Sequence, residues 1–116
     1  MWLFLPFGFY SIVQKPGTDC LTVRVRVIAD LDRLRSRMPT LSPTIIGGGT
    51  DYPARATIAH ADFAAGLSSL ALSINYSNFK GHVGRVLGAA RAAVAGRVWG
   101  VLQVMETENH KYECPR

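Results

Sequence analysis

From Leu21 to Ile28 the chain reads Leu-Thr-Val-Arg-Val-Arg-Val-Ile. This near-strict alternation has the period of a strand with one face buried and the other in solvent. It places Arg24 and Arg26 on the wet face. Two shorter aromatic and β-branched runs, Trp2 to Phe4 and Phe9 to Gln14, flank Leu5-Pro6-Phe7-Gly8 and predict a tight hairpin. A second turn is expected at Lys15 to Asp19, returning the Leu21 strand to its neighbour. Ala54 to Ala59 alternates again, with Arg55 and Thr57 on one side and Ala54, Ala56 and Ile58 on the other. A sheet covered on one side only is the usual state of an antiparallel sheet backed by helices.

Helical spacing marks the remaining segments. Leu31, Leu34 and Met38 follow Asp30, a candidate N-cap, and Pro39 stops that helix. Arg33, Arg35 and Arg37 fall on its other faces, where solvation is the default explanation. Pro39 to Pro53 is a long Pro-, Gly- and Thr-rich connection that a short strand at Thr44 to Ile46 would shorten. Phe63, Leu67, Leu70, Ala71 and Ile74 form one stripe on a helix capped by His60 or a neighbour. Asn75 to Gly81 is a polar and aromatic break. A last helix is expected over about Val83 to Met105, burying Val83, Leu87, Ala90, Val94, Val98, Val101 and Met105. The expectation is therefore an α+β two-layer sandwich, with an antiparallel sheet of four to five strands and helices packed on one face. Its order is β-β-β-α-(β)-β-α-α, in one domain over residues 1–105 with a polar tail over 106–116.

Gly84, Gly88, Ala92, Gly96 and Gly100 recur every four residues along that last helix. Each interior glycine costs about 1 kcal/mol of helix propensity relative to alanine. Such a loss needs an offset. Close approach of another backbone would supply it, either the small face of Ala61, Ala64, Ala65 and Ser68 or a second copy of the same helix.

Among its 116 residues the chain has ten Arg and three Lys against eight acids, for a formal charge of +5. That balance favours anionic partners, although basic composition alone is common. Cys20 and Cys114 have neither CxxC spacing nor secretory context, so reduced thiols in a cytoplasmic protein are the simpler account. The apolar N-terminus lacks a basic region and a cleavage site, and is read as structure rather than a signal peptide. Arg85, Arg91 and Arg97 interrupt the apolar stretch from Val83 to Met105, so it is not an ordinary membrane span and no membrane partner is expected.

Candidate chemistry is sparse. Arg24, Arg26 and Arg55, with Lys80 as a further cation, would make a basic patch on the open sheet face, bordered by aromatics such as Trp2 or Tyr10. Phosphate pairing plus base stacking on such a face is one way single strands are held. Simple solvation, or pairing with Asp51 or Asp62, explains the same arginines. Asp51 and Tyr52 before the last strand, with Tyr76 and Asn78 in the interhelix segment, are candidates for lining one pocket. Capping and turn formation account for Asn78 and Pro53 equally well. Gly47-Gly48-Gly49-Thr50 lacks the Gly-Lys-Ser/Thr ending of a phosphate loop and reads as a flexible turn. His60, His82 and His110 have no metal-ligand spacing, and no serine or cysteine has a neighbouring base in sequence, so neither metal, cofactor nor catalytic residue is assigned.

Taken together, Met1-Trp2-x-Phe4, Gly8-Phe9-x-Ser11, Val23-Arg24-x-Arg26, Asp51-Tyr52-Pro53-x-Arg55, Tyr76-x-Asn78-Phe79-Lys80 and Val98-Trp99 resemble a family of small bacterial, often actinobacterial, proteins known as uncharacterised or hypothetical. The resemblance runs from Met1 to about Val104 and implies that the N-terminus is mature sequence. It brings no activity, cofactor or catalytic residue. Relatives in that family often carry Asp where this chain has Asn75, and an aromatic residue where it has Ala95. The leading functional expectation is non-catalytic binding of an anionic partner, nucleic acid foremost, through the arginine face. The alternatives are a homodimeric interaction or scaffold protein without a ligand, and an enzyme of unknown class.

Overall fold

In the computed structural model, described over residues 1–47 and 51–112, the chain divides into two compact units, Met1–Tyr76 and Ser77–Arg116. The first is built on a five-stranded sheet, antiparallel throughout, in which β1 (Trp2–Leu5), β2 (Gly8–Val13), β3 (Leu21–Val25), β4 (Ile45–Ile46) and β5 (Ala54–Ile58) lie in the order β1-β2-β3-β5-β4. Helix α1 (Ile28–Arg37) connects β3 to the β4–β5 hairpin and α2 (His60–Leu72) follows β5. The result is a small α+β fold with the strand and helix order that the periodicities predict.

Register fixes the two faces. Leu3 lies opposite Tyr10, Ile12 opposite Val23 and Val23 opposite Ala56, so these residues share the inner face. They form one core with Leu31 and Leu34 of α1 and Phe63 and Leu70 of α2. Small Ala54 and Ala56 on β5, both fully buried, leave room for the helices above them. Gly66 of α2 does the same for Met38, because a Cβ there would fall 2.6 Å from the Met38 Cγ.

Among the described residues Asp30 is the one acid driven into this interior, only 1% exposed. It does not cap α1, whose N-cap is Val27 without a side-chain bond. Its carboxylate instead accepts from the Phe9 N–H at 3.0 Å and from Arg33 at 2.6 Å, while the Tyr10 hydroxyl donates to the Asp30 carbonyl at 2.7 Å. A buried carboxylate must be hydrogen-bonded or paired to persist; here the bonds tie the helix start to β2. Arg35 is also structural. It donates to the Ser42 carbonyl at 2.7 and 3.1 Å and to Thr44 at 3.0 Å, pinning the long connection whose Leu41 is buried. Ser42 in turn exchanges bonds with Thr57, giving its N–H to the Thr57 carbonyl and accepting the Thr57 N–H on its hydroxyl.

In the second unit the expected continuous helix is two, α3 (Phe79–Leu87) and α4 (Ala89–Leu102), with 3₁₀ turns following over Gln103–Tyr112. Asn78 starts α3 by accepting the Gly81 N–H. The break is Gly88, whose φ of 97° and ψ of 173° lie in a region open essentially to glycine alone. Reversal at that residue brings α4 back along α3. A Cβ at Gly84 would stand 3.4 Å from that of Ala92, and one at Gly96 3.9 Å from Lys80 Cδ. The glycine ribbon thus serves a turn and the contact of α3 with α4, rather than a single long helix.

The burial expected along this segment is also corrected. Val83 is buried, but α4 has no buried residue, and Val94 (49%), Val101 (69%) and Met105 (59%) are exposed. A helix apolar on most sides gives no sequence signal of which side, if any, meets a core. Ala71 and Ile74, expected on the α2 stripe, are exposed as well: Ala71 lies in the last turn of α2, and Ile74 beyond its end at Leu72.

Candidate functional site

The outer sheet face is assembled by the same register. Trp2 lies opposite Ser11, Ser11 opposite Arg24, Arg24 opposite Arg55, and Ile45 opposite Arg55, so one row crosses all five strands. At about 4.8 Å per strand gap it is roughly 19 Å long. Its β1–β2 end is aromatic. Phe9 meets Trp2 edge-on at 5.6 Å and Phe4 at 4.5 Å between ring centroids, and Trp2 remains 69% exposed. Its β3–β5 end is cationic.

Tyr52 organises the cationic end. Leaving the loop just before β5, its ring receives the Arg24 guanidinium at 4.6 Å and that of Arg26 at 4.8 Å. Two like charges are thereby held against one ring, whose negative face offsets part of their repulsion. Arg26 also donates to the Asp51 carbonyl at 3.1 Å, and Arg24 to the Ser11 hydroxyl at 2.7 Å. These are neutral acceptors. The ion pairs among the described residues are Arg33–Asp30 and Arg35–Asp32, both on α1, and neither includes Arg24, Arg26 or Arg55. Asp30 and Asp32 therefore compensate Arg33 and Arg35, while the sheet arginines have no carboxylate partner among the described residues. Arg24 Nε is buried with no acceptor among the described residues, at a cost of about 1–3 kcal/mol.

The remaining candidates take other places. Tyr10, expected as a bordering aromatic, is fully buried on the inner face; the odd-numbered Phe9 points outward in its stead. Lys80 stands in α3 with its ammonium 4.6 Å from the Trp99 ring centre. Asn78 caps α3, and half-buried Tyr76 closes the first unit. Asp51 contributes its backbone carbonyl to the sheet face, and Asp62 lies in the first turn of α2. Gly48, Gly49 and Thr50 lie outside the described residues, as does Cys114, while half-buried Cys20 carries a free thiol.

Phe4, Phe9 and Ser11 join the site only in the structure, although the period-two spacing of Phe4 with Trp2 and of Phe9 with Ser11 is present in the sequence. Among the described residues no three His, Cys, Asp or Glu side chains gather as a metal ion would require. No protein family, curated protein or solved structure matches the chain.

Proposed function

We propose that the first unit binds a single-stranded nucleic acid across the outer sheet face, without catalysis. The observation that carries this reading is one surface with two chemistries: three arginines without carboxylate partners among the described residues, beside an exposed aromatic cluster. Phosphates are held by the guanidiniums of Arg24, Arg26 and Arg55, and a base stacks on Trp2, whose ring Phe9 supports from the side. Base–aromatic stacking is worth about 1–3 kcal/mol and tolerates any sequence, whereas a duplex hides its base faces. Ser11, buried between the two ends, accepts from Arg24 and so holds that guanidinium in the same row as Trp2.

Fluorescence anisotropy with a labelled single-stranded oligonucleotide tests the reading. Affinity should fall steeply with salt, and Arg26→Ala with Arg55→Ala should flatten the log–log slope by about 0.7 for each phosphate released. Trp2→Ala should weaken binding by roughly 5- to 150-fold with little effect on that slope. Equal affinity for a duplex of the same sequence, or binding indifferent to all three substitutions, would refute it.

A further inference from the structure

We infer that a second copy of this chain docks on the outer edge of β1 in one register, extending the sheet across a two-fold axis. The phase of the backbone carries the inference. Met1 donates from its ammonium to the Ile12 carbonyl and accepts the Ile12 N–H on its own carbonyl, both at 2.8 Å. These two residues are thus a hydrogen-bonded pair, and along an antiparallel ladder such pairs alternate with pairs whose bonding groups point away from each other. Leu3 with Tyr10 and Leu5 with Gly8 are therefore bonded inward, whereas the N–H and C=O groups of Trp2 and Phe4 point off the sheet. The Phe9 N–H agrees with this phase, since it goes to Asp30 and not to its β1 partner Phe4.

Self-pairing satisfies those groups in one way. With Leu3 on the two-fold axis, Trp2 of each copy lies opposite Phe4 of the other, and every outward N–H and C=O of the two residues is used. An axis at Phe4 would set Trp2 against Pro6, which has no N–H, and an axis at Trp2 would set Phe4 against no residue of β1. The same register matches the side chains. On the outer face Trp2, 69% exposed, meets Phe4, 36% exposed, and aromatic pairs placed directly opposite stabilise a sheet. On the inner face Leu3 meets Leu3, and Met1, 66% exposed, meets half-buried Leu5.

Charge permits a copy of the same chain as the occupant. Residues 2–13 carry no charged side chain, so β1 lacks the charges that hold exposed edges apart. Pairing about this axis keeps both outer faces on one side, with the aromatic ends adjoining. Arg24 of one copy is then five strand spacings, about 24 Å, from Arg24 of the other, well beyond the Debye length of about 10 Å at 0.1 M salt. An unrelated extended peptide would take the backbone bonds, but a copy of β1 also brings Phe4 to Trp2 and Leu5 to Met1. A four-residue edge covers far less than the roughly 800 Å² per partner of a standard interface, so this dimer is weak and concentration-dependent.

Sedimentation equilibrium of the full chain without nucleic acid tests the inference, and its failure would leave the reading of the outer face untouched. Mass should rise from monomer towards dimer between micromolar and millimolar concentration. Phe4→Lys, at an exposed edge position, should weaken association roughly tenfold with unchanged circular dichroism. Disulfide trapping reads the register, in a Cys20→Ser, Cys114→Ser background with oxidised glutathione as oxidant. Leu3→Cys should give a covalent dimer, because the pair on the axis has its Cα atoms about 4.5 Å apart. Trp2→Cys should not, because two residues of offset put its counterpart beyond the roughly 7 Å that a disulfide spans. A chain that stays monomeric overturns the inference, as does a dimer indifferent to Phe4→Lys or one trapped through Trp2→Cys instead of Leu3→Cys.

Discussion

Replacing Gly88 and Gly100 by alanine, one at a time, makes the same chemical change at two positions where a new Cβ meets nothing within 4 Å. Only backbone conformation separates them. At Gly88 the φ of 97° and ψ of 173° would hold an L-residue in a region costing about 1–3 kcal/mol. The reduced freedom of the unfolded chain returns about 0.4–1 kcal/mol of that. Gly88→Ala should therefore destabilise the second unit by about 1–2 kcal/mol. Gly100 lies within α4 and has no positive φ, so Gly100→Ala should stabilise it by about 0.4–1 kcal/mol. Because the two units need not open together, amide hydrogen exchange across residues 79–102 is the suitable measurement. Exchange should quicken roughly 5- to 30-fold in the first variant and slow severalfold in the second. The sign at Gly88 is decisive: a continuous helix would be stabilised by the substitution, and that result would refute the break between α3 and α4.

The Asp30 cluster supports a graded series in urea denaturation. Asp30→Ala leaves the Phe9 N–H and Arg33 without an acceptor and should cost about 2–4 kcal/mol, Asp30→Asn less because one oxygen remains, and Arg33→Ala, at a partly exposed pair, about 1 kcal/mol or less. An inverted order would show that the carboxylate is not what joins α1 to β2. Gly8→Ala should cost about 1–3 kcal/mol, since its Cβ would meet the Tyr10 hydroxyl and stand 2.9 Å from Asp30 Cγ. A neutral Gly8→Ala in the same denaturation series would contradict the close packing at that turn.

The sheet is legible in the sequence because its residues alternate. Thr22, Arg24, Arg55 and Thr57 fall on one face by spacing alone, and the β3–β5 register pairs them on it. What spacing does not encode is which cations will find acids. Arg33 and Arg35 meet carboxylates three residues away on their own helix, whereas Arg24 and Arg26 meet a tyrosine ring from a distant loop. Tyr10 defeats the spacing argument because β2 carries large side chains on both faces, so aromatic character alone does not say which ring is inside. The α3–α4 break is hidden by the regular four-residue recurrence of glycine. One conformational role at Gly88 and a packing role at Gly84 look identical in a helical pattern.

The two rims of the sheet differ in what they offer a further strand. On the far side β4 is two residues long, and Ser42 already engages the backbone of Thr57. On the near side β1 pairs, among the described residues, only with β2. Fibrous growth by strand addition needs two different rims that join head to tail, repeated without end. With one receptive rim, edge pairing between copies would be rim to like rim, a two-fold arrangement that occupies its own joining surface and stops there.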